Sequence, residues 1–225
     1  MDKSKIFQTY NFGVIQELCK DVKENSKMVG LIGYTGAGKT IGERYFKSKN
    51  KNVIYTWVRK TMNTKDFYTE LLYSSGYEGD ISNDFSIYTI MNLIVNTINN
   101  TPQKVLLIID EAGKFTPGQL EYIHELRDLT IGHLGIILSG PEYFEENLHK
   151  WKKKNLVGIP EIYRRIQDFI TLKRPNLREI RGFCNHYGIE DEQLIKSRFK
   201  RSDNFGDLIN NIESYLNGND SKEPY

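Results

Sequence analysis

The feature that most limits the possible folds is an alternation of apolar runs with helix-like stretches. Strand-like runs occur at residues 28–33, 52–58, 104–110, 134–140 and 168–172. All but the last are continuously apolar, which is typical of strands buried on both faces of a parallel sheet. Because helix-like stretches separate the runs, the sequence predicts an α/β fold with helices on both sides of the sheet.

The same pattern divides the chain into unequal parts. Residues 1–27 precede the first strand and have room for one amphipathic helix, so we expect an N-terminal helical extension there. We assign residues 28–174 to the sheet domain. After that point only short helical stretches follow, which predicts a small helical lid over residues 175–217. The polar residues 218–225 are expected to form a flexible tail.

Composition and charge exclude several classes of protein. The 31 basic and 29 acidic residues give a formal net charge of +2, so affinity for nucleic acid would have to come from local patches. The sequence lacks the ~18-residue apolar stretch of a membrane helix and the apolar core of a signal peptide, which favours a cytoplasmic protein without membrane contact. Cys19, Cys184 and the four scattered histidines favour neither a disulfide scaffold nor a structural zinc site.

A phosphate-binding motif follows the first strand-like run. Residues 33–40, GYTGAGKT, match GxxxxGK[ST] without deviation, between a buried strand and a helix. The glycines let backbone amides and a helix N-terminus face a phosphate chain. In such a site Lys39 reaches the β- and γ-phosphates and Thr40 binds Mg²⁺. The residues predicted to bind the nucleotide are Gly33, Tyr34, Thr35, Gly36, Ala37, Gly38, Lys39, Thr40 and Ile41, together with Asp110.

Acidic and hydroxyl groups follow the next buried runs. Asp110 ends the run VLLIID, where a carboxylate can hold Mg²⁺ through water opposite Thr40. Glu111 follows at once and is predicted to polarise the attacking water, the alternative being that it begins a surface loop.

In P-loop ATPases with such a glutamate, the next strand in sequence is inserted between the metal-binding strand and the P-loop strand. Here that strand is 134–140. Ser139 is therefore expected at the γ-phosphate edge, where it orients water or senses the phosphate, unless it is a turn residue. Glu142 has the weaker claim, because acids are common in a first helical turn.

Together these segments resemble the AAA+ ATPases. More narrowly, GYTGAGKT, IIDEAGKF with a helix ending in LRDL, ILSGPEYF and IYRRIQDFITL are similar to the transposition ATPases of the MuB and TnsC kind, which help a transposase to choose its target DNA. The resemblance spans about residues 30–174. It implies a P-loop NTPase with five parallel strands in the order 5-1-4-3-2, and an ATPase that uses ATP and Mg²⁺.

The resemblance also implies assembly. In that family an arginine before the last strand reaches the nucleotide of the neighbouring subunit, and Arg164 and Arg165 occupy the matching place. An arginine in this role is called an arginine finger. Arg165 is the preferred finger, and the alternative is that both arginines are simply solvated. A finger supplied in trans implies a homo-oligomer, either a filament or a ring, with ATP at the subunit interfaces. Relatives often carry a lid arginine near the place of Gly206, whereas Arg201 is out of register, so slow hydrolysis is expected.

Two basic segments are candidate contacts to double-stranded DNA. Arg59, Lys60 and Lys65 lie in a loop that faces the central channel of ring- or filament-forming relatives. Lys152 and Lys153 belong to the run HKWKKKN. Lysines that neutralise phosphates give affinity without reading sequence. For both segments, a solvated charged face is the alternative.

The leading hypothesis is an ATP-dependent, non-sequence-specific DNA-binding ATPase that oligomerises on DNA and recruits or activates a transposase. It would be cytoplasmic, and associated with the nucleoid when bound to DNA. The alternative is a regulatory or signalling NTPase that acts on protein partners without DNA. A kinase is disfavoured because the sequence has no visible acceptor site, and an ABC transporter subunit because an LSGGQ signature is absent.

Overall fold

Five parallel strands form one sheet in the computed structural model, which describes residues 7–81 and 84–217. They are β1 (Met28–Ile32), β2 (Val53–Trp57), β3 (Val105–Asp110), β4 (Leu134–Gly140) and β5 (Asp168–Thr171). The strand order is β2-β3-β4-β1-β5. The α/β class and the predicted order 5-1-4-3-2 are therefore confirmed, and β4 lies between β1 and β3 as the sequence indicates.

Helices follow the strands in nearly every connection. They are α1 (Tyr10–Asn25), α2 (Lys39–Lys49), α3 (Thr64–Ser74), α4 (Ile87–Asn99), α5 (Pro117–Leu129), α6 (Glu142–Lys153), α7 (Ile159–Arg165), α8 (Leu177–His186), α9 (Glu192–Ser197) and α10 (Phe205–Leu216). Short 3₁₀ turns occupy Ala112–Lys114 and Phe199–Arg201. Polar residues cap the N-termini of several helices. Asn63, Thr116 and Asn176 form capping boxes at the beginning of α3, α5 and α8, respectively.

The two faces of the sheet carry separate hydrophobic clusters. Helices α3 to α7 cover one face, and α1 and α2 cover the other. Every residue of β1, β3 and β4 is buried, which explains why their sequences are continuously apolar. The carboxyl ends of these strands meet at one edge of the sheet, where the loops that follow β1, β3 and β4 come together.

Helix α1 approaches the sheet closely at Gly135 on β4. A Cβ at this position would lie 2.2 Å from the carbonyl oxygen of Val22. Because the obstacle is backbone, Gly135→Ala should push α1 from the sheet and lower the free energy of unfolding by about 1–3 kcal/mol. Urea denaturation measures the change. The matched control is Gly118→Ala on α5, where an added Cβ meets nothing within 4 Å. An equal loss in both variants would contradict the packing argument.

Helices α8 to α10 share a third hydrophobic cluster of their own, which Phe7 also joins. The boundary of the lid at residue 175 stays a prediction. Residues 1–6 of the predicted N-terminal extension and the predicted tail, 218–225, lie outside the described residues. Cys19 and Cys184 are buried free thiols in different clusters. In the ranges that the structure covers, no helix has both the length and the apolar character needed to cross a bilayer.

Candidate nucleotide site

The loop between β1 and α2 has the backbone of an anion cradle. Gly36 and Gly38 adopt left-handed conformations, with φ of 83° and 87°, which side chains with a Cβ rarely tolerate. Gly38 precedes α2 and supplies no side-chain cap. The amide groups of the first turn are thus available to an anionic ligand. Thr35 and Ile41 are exposed around this cradle, whereas Tyr34 and Ala37 are buried beneath it.

Lys39 folds back over the same loop. Its Nζ donates to the carbonyl oxygens of Gly33, at 2.6 Å, and Tyr34, at 3.2 Å. Burial lowers the pKa of Lys39, and nearby carboxyl groups, first that of Asp110, act in the opposite direction. A phosphate oxygen is a stronger acceptor than a carbonyl for an ammonium group. A phosphate could therefore replace these carbonyl contacts of Lys39.

Asp110 at the end of β3 is the centre of a hydrogen-bond network. Its Oδ2 accepts from the hydroxyl of Thr40 at 2.6 Å and from that of Tyr55 at 2.8 Å, and its Oδ1 accepts from the amide of Glu111 at 2.8 Å. The structure thus brings together Thr40 and Asp110, the two residues predicted to hold Mg²⁺. A hydroxyl and a carboxylate are the oxygen donors that Mg²⁺ takes in such sites, so the residues fit the ion. Sequence reasoning missed Tyr55, which reaches this edge from β2.

The chain turns sharply at Glu111. This residue has φ of 60° and ψ of 30°, a left-handed conformation that is uncommon outside glycine and concentrates at functional sites. Its carboxylate is partly exposed and pairs with Lys114 at 3.2 Å. The turn directs Glu111 away from the line of β3. Asp110 and Glu111 can therefore both serve one site although they are neighbours in sequence.

Ser139 lies near the end of β4, paired in register with Leu31 of β1. It is fully buried, and its Oγ has no hydrogen-bond partner among residues 7–81 and 84–217. Glu142 is exposed in the first turn of α6. The structure thus places a hydroxyl without a partner between the P-loop strand and the Asp110 strand, and leaves Glu142 at the surface.

Glu43 on α2 is a buried acid that sequence reasoning missed. It has no exposed surface, and neither carboxylate oxygen has a hydrogen-bond partner in the part of the chain that the structure describes. Burial raises its pKa to about 8, and the charge of Asp110 adds to this rise. The Ser139 hydroxyl faces Glu43 and opposes the rise, although the two groups do not reach full hydrogen-bond geometry.

Lys39 and Arg44 also oppose the rise, whereas Cys19, on the α1 side, is an uncharged thiol. The sequence did contain a signal for this residue. Glu43 lies four positions after Lys39, which puts both side chains on the same face of α2. An acid on that face has to approach the phosphate site.

The free energy of unfolding should depend on pH through Glu43. Its pKa is raised from 4.5 to about 8 in the folded chain, so between these values the unfolded chain releases a proton that the native chain keeps. This contribution is complete at low pH and is lost as pH rises, by up to about 1.4 kcal/mol per pH unit. Glu43→Gln should remove that slope. Urea denaturation of both proteins between pH 5 and about 8 tests this, and parallel slopes would contradict it.

The glycine loop is also fixed by the two ends of the described chain. Asn11 of α1 donates to the carbonyl oxygen of Ala37 at 3.4 Å and to that of Lys173 at 2.8 Å, and it accepts from the amide of Lys173 at 3.1 Å. From the segment before α10, Asn204 approaches Gly36 so closely that a Cβ there would lie 2.5 Å from the side-chain oxygen. The backbone of Gly206 lies in the same contact. The C-terminal helical segment therefore contacts the loop through an asparagine and a glycine, whereas Arg201 is exposed.

The two arginines at the end of α7 have different environments. Arg165 binds Asp128 of α5 in a bidentate pair, with Nε at 3.1 Å from Oδ1 and Nη2 at 2.8 Å from Oδ2. Arg164 is exposed and has no hydrogen bond or ion pair with any residue in the described ranges. The preference for Arg165 as the finger stays a prediction; in this structure its guanidinium binds an internal carboxylate, whereas Arg164 is exposed.

The two basic segments lie apart. Arg59 pairs with Glu70 and its guanidinium lies 5.4 Å from the ring centroid of Trp57, in the loop at the carboxyl end of β2. Lys65 follows on α3, also with an internal contact, and Lys60 is exposed.

Helix α6 begins at the carboxyl edge of the sheet. The second segment lies near the other end of this helix, about 15 Å from its start along the axis. There Lys152 Nζ lies 3.8 Å from the ring centroid of Tyr163, and Lys153 is exposed. Lys60 and Lys153 are thus the candidates whose ammonium groups are most open to a phosphate.

Solved structures of archaeal proteins share this fold. Orc1 of Aeropyrum pernix in complex with DNA superposes with a TM-score of 0.69 at 11% identity, over 98% of this chain and 63% of that chain. Cdc6p from Pyrobaculum aerophilum gives 0.67 at 14%, over 96% and 65%. The ADP form of A. pernix ORC2 gives 0.67 at 15%, over 99% and 68%. This chain thus spans less than two thirds of the first two proteins, and identities at this level establish a common fold only.

A sequence search of curated proteins gives no match. A family model described as an AAA domain matches residues 22–148, which is more than half of the chain. The match includes the glycine loop, Asp110 with Glu111, and Ser139. With the strand order β2-β3-β4-β1-β5, it supports an AAA+ ATPase. The chain therefore belongs to the AAA domain family.

Proposed function

We propose that the chain is an ATPase that binds ATP and Mg²⁺ at the carboxyl edge of the sheet and assembles on double-stranded DNA. The observation that carries the nucleotide assignment is the hydrogen bond between Thr40 and Asp110 beside an uncapped glycine loop. AAA+ ATPases generally use ATP with Mg²⁺. The ion would neutralise phosphate charge, and Thr40 and Asp110 are the residues that would hold it.

Each remaining group has a role that its position supports. The loop amides and Lys39 bind the phosphates. Glu111, at the turn after β3, takes a proton from the attacking water. Ser139, between β1 and β3, meets the γ-phosphate end. The proposed reaction is ATP and water to ADP and phosphate.

Completion of the site by a second copy of the chain is part of the proposal. Arg164 has no internal partner in the described ranges and is therefore assigned as the finger that reaches a neighbour's nucleotide, in place of Arg165. A guanidinium is always charged and can bridge phosphate oxygens. Contact between unlike surfaces repeats from copy to copy and closes into a ring or continues as a filament.

Two observations support the proposed DNA binding and the proposed transposase partner. Residues 30–174 resemble the transposition ATPases of the MuB and TnsC kind, and the structurally similar Orc1 was solved in complex with DNA. Exposed Lys60 and Lys153 supply charge without sequence reading. We accordingly propose a cytoplasmic protein that joins the nucleoid when it binds DNA and that recruits or activates a transposase there.

Electron microscopy of the protein with duplex DNA and a non-hydrolysable ATP analogue tests the assembly. Ordered rings or filaments on DNA that need the analogue are the expected result. A regulatory NTPase would instead bind nucleotide without forming such assemblies, and its ATPase rate would not respond to duplex. That pair of results would contradict the DNA part of the proposal and leave the ATPase part intact.

Lys60→Ala should weaken binding to duplex DNA about equally for unrelated sequences. Loss of one phosphate contact per chain should also reduce the slope of log affinity against log salt by about 1. Fluorescence anisotropy over a salt series measures both. Lys47→Ala is the control, because Lys47 is exposed near the far end of α2. Equal slopes for the two variants would exclude Lys60 from the DNA surface.

A further inference from the structure

Two buried polar groups without partners face each other beneath the glycine loop. Glu43 and Ser139 each have 0% exposure, and neither side chain has a hydrogen-bond partner in the described ranges. Buried polar groups are nearly always satisfied, so an orphaned pair calls for a specific explanation. The functions assigned to Lys39, Thr40, Asp110 and Glu111 do not use Glu43.

Strand alternation explains why the pair meets. Ile108 and Ile137 belong to the cluster under α1 and α2, and side chains two residues further along a strand point to the same face. Asp110 and Ser139 therefore face α2, the helix that carries Glu43. On the other side Ile15 of α1 packs on Gly42, where a Cβ would lie 2.9 Å from its Cδ1. Helix α1 thus closes this region from solvent.

We propose that Glu43 is a positioning residue for ATP hydrolysis, whose carboxyl group holds the Ser139 hydroxyl in the orientation in which it meets the γ-phosphate. The inference rests on the proposed ATPase function. A serine hydroxyl has one hydrogen and two lone pairs, and it rotates freely unless a neighbour selects one rotamer. Glu43 on α2 is the polar neighbour that faces this hydroxyl. A carboxylic acid there can donate to Ser139 Oγ and leave the serine hydrogen for the phosphate.

The burial of Glu43 agrees with this role. Removal from water favours the neutral acid over the carboxylate. A neutral acid adds no negative charge beneath a triphosphate, and it both donates and accepts hydrogen bonds. Glutamine shares the shape and both hydrogen-bonding functions, whereas leucine shares only the approximate volume. The two substitutions therefore separate hydrogen bonding from packing.

The test compares Glu43→Gln and Glu43→Leu with the wild type in steady-state ATP hydrolysis. Glu43→Gln should keep kcat within about threefold, whereas Glu43→Leu should lower kcat about tenfold or more and raise KM for ATP by a smaller factor, about threefold. Leucine removes a buried unpaired polar group, so Glu43→Leu should fold at least as well as the wild type. A thermal melt verifies this before the kinetics.

A double-mutant cycle with Ser139→Ala tests whether Glu43 acts on hydrolysis through Ser139. If Glu43 acts through Ser139, Glu43→Leu should change kcat by less than about twofold in the Ser139→Ala background. A second readout avoids catalysis: the ratio of Kd for ADP to Kd for a non-hydrolysable ATP analogue should fall to the same extent in Glu43→Leu and Ser139→Ala. Wild-type kcat in Glu43→Leu, or an undiminished effect in the Ser139→Ala background, would overturn the inference. Failure of the wild type to bind either nucleotide would instead overturn the proposed function, and the inference with it.

Discussion

Replacing Glu111 with glutamine is expected to lower kcat for ATP hydrolysis by about 10²- to 10⁴-fold. The amide keeps the shape of the side chain but cannot take a proton from water. Lys39, Thr40 and Asp110 are untouched, so the Kd for ATP should stay within about threefold of the wild-type value. Steady-state phosphate release and equilibrium binding of a fluorescent ATP analogue measure the two quantities. Because hydrolysis is blocked, the ATP-bound assembly should also persist in size-exclusion chromatography.

Lys114→Ala is the matched control for this substitution. It removes the ion pair with Glu111 and leaves the carboxylate in place. Hydrolysis should therefore continue at a rate close to that of the wild type. If Glu111→Gln abolishes nucleotide binding, or if the two variants lose activity equally, Glu111 has a structural role at the turn and not the role of a base.

Arg164→Ala should lower kcat of the assembled protein by about 10³- to 10⁵-fold, the range for arginine fingers in other P-loop enzymes. The missing charge belongs to the neighbour, so each chain should still bind ATP. Mixing Arg164→Ala with Glu111→Gln gives the sharper test. A chain with an intact Glu111 then meets a chain with an intact Arg164, and hydrolysis should return although each variant alone is inactive. No recovery in assemblies shown to contain both variants would contradict a finger in trans.

Arg165→Ala separates the two neighbouring arginines. Arg165 hydrogen-bonds Asp128 and thereby lowers the pKa of that carboxyl group. The resulting stabilisation is present above the ordinary pKa of the aspartate and is lost as pH falls through its lowered value. Arg165→Ala should thus reduce stability at neutral pH but retain most of the hydrolysis in the assembled protein. A loss of hydrolysis as large as that of Arg164→Ala would return the finger to Arg165.

The sequence predicted the sheet well because its three central strands are buried on both faces. Continuous apolar runs at β1, β3 and β4 located the strands, and the resemblance to P-loop ATPases implied the position of β4 between β1 and β3. The phosphate-binding loop could equally be predicted from the sequence, because Gly36 and Gly38 adopt a backbone conformation that few other residues tolerate. These features depend on residues close together in sequence or on a strong periodic signal.

The remaining features depend on contacts between distant residues. Arg164 and Arg165 are adjacent in sequence, and the contact that distinguishes them in the structure is with Asp128, 37 residues from Arg165. Glu43 resembles the many surface acids of amphipathic helices until α1 and β4 enclose it. Tyr55 reaches Asp110 across 55 residues. Apart from the four-residue spacing between Lys39 and Glu43, no local pattern encodes these contacts, because each depends on which strands and helices become neighbours in the fold.

The hydrogen bonds of the Asn11 side chain affect how the protein responds to a ligand in the phosphate loop. One side-chain amide joins the carbonyl oxygen of Ala37 in the phosphate loop to that of Lys173, just before the C-terminal helices. A displacement of the loop would therefore either move Asn11 or break its contact with Ala37, since the same amide nitrogen serves both acceptors. The first turn of α1, the loop and the segment after β5 are thus linked through one side chain, so a label placed near Asn11 should report events at the phosphates.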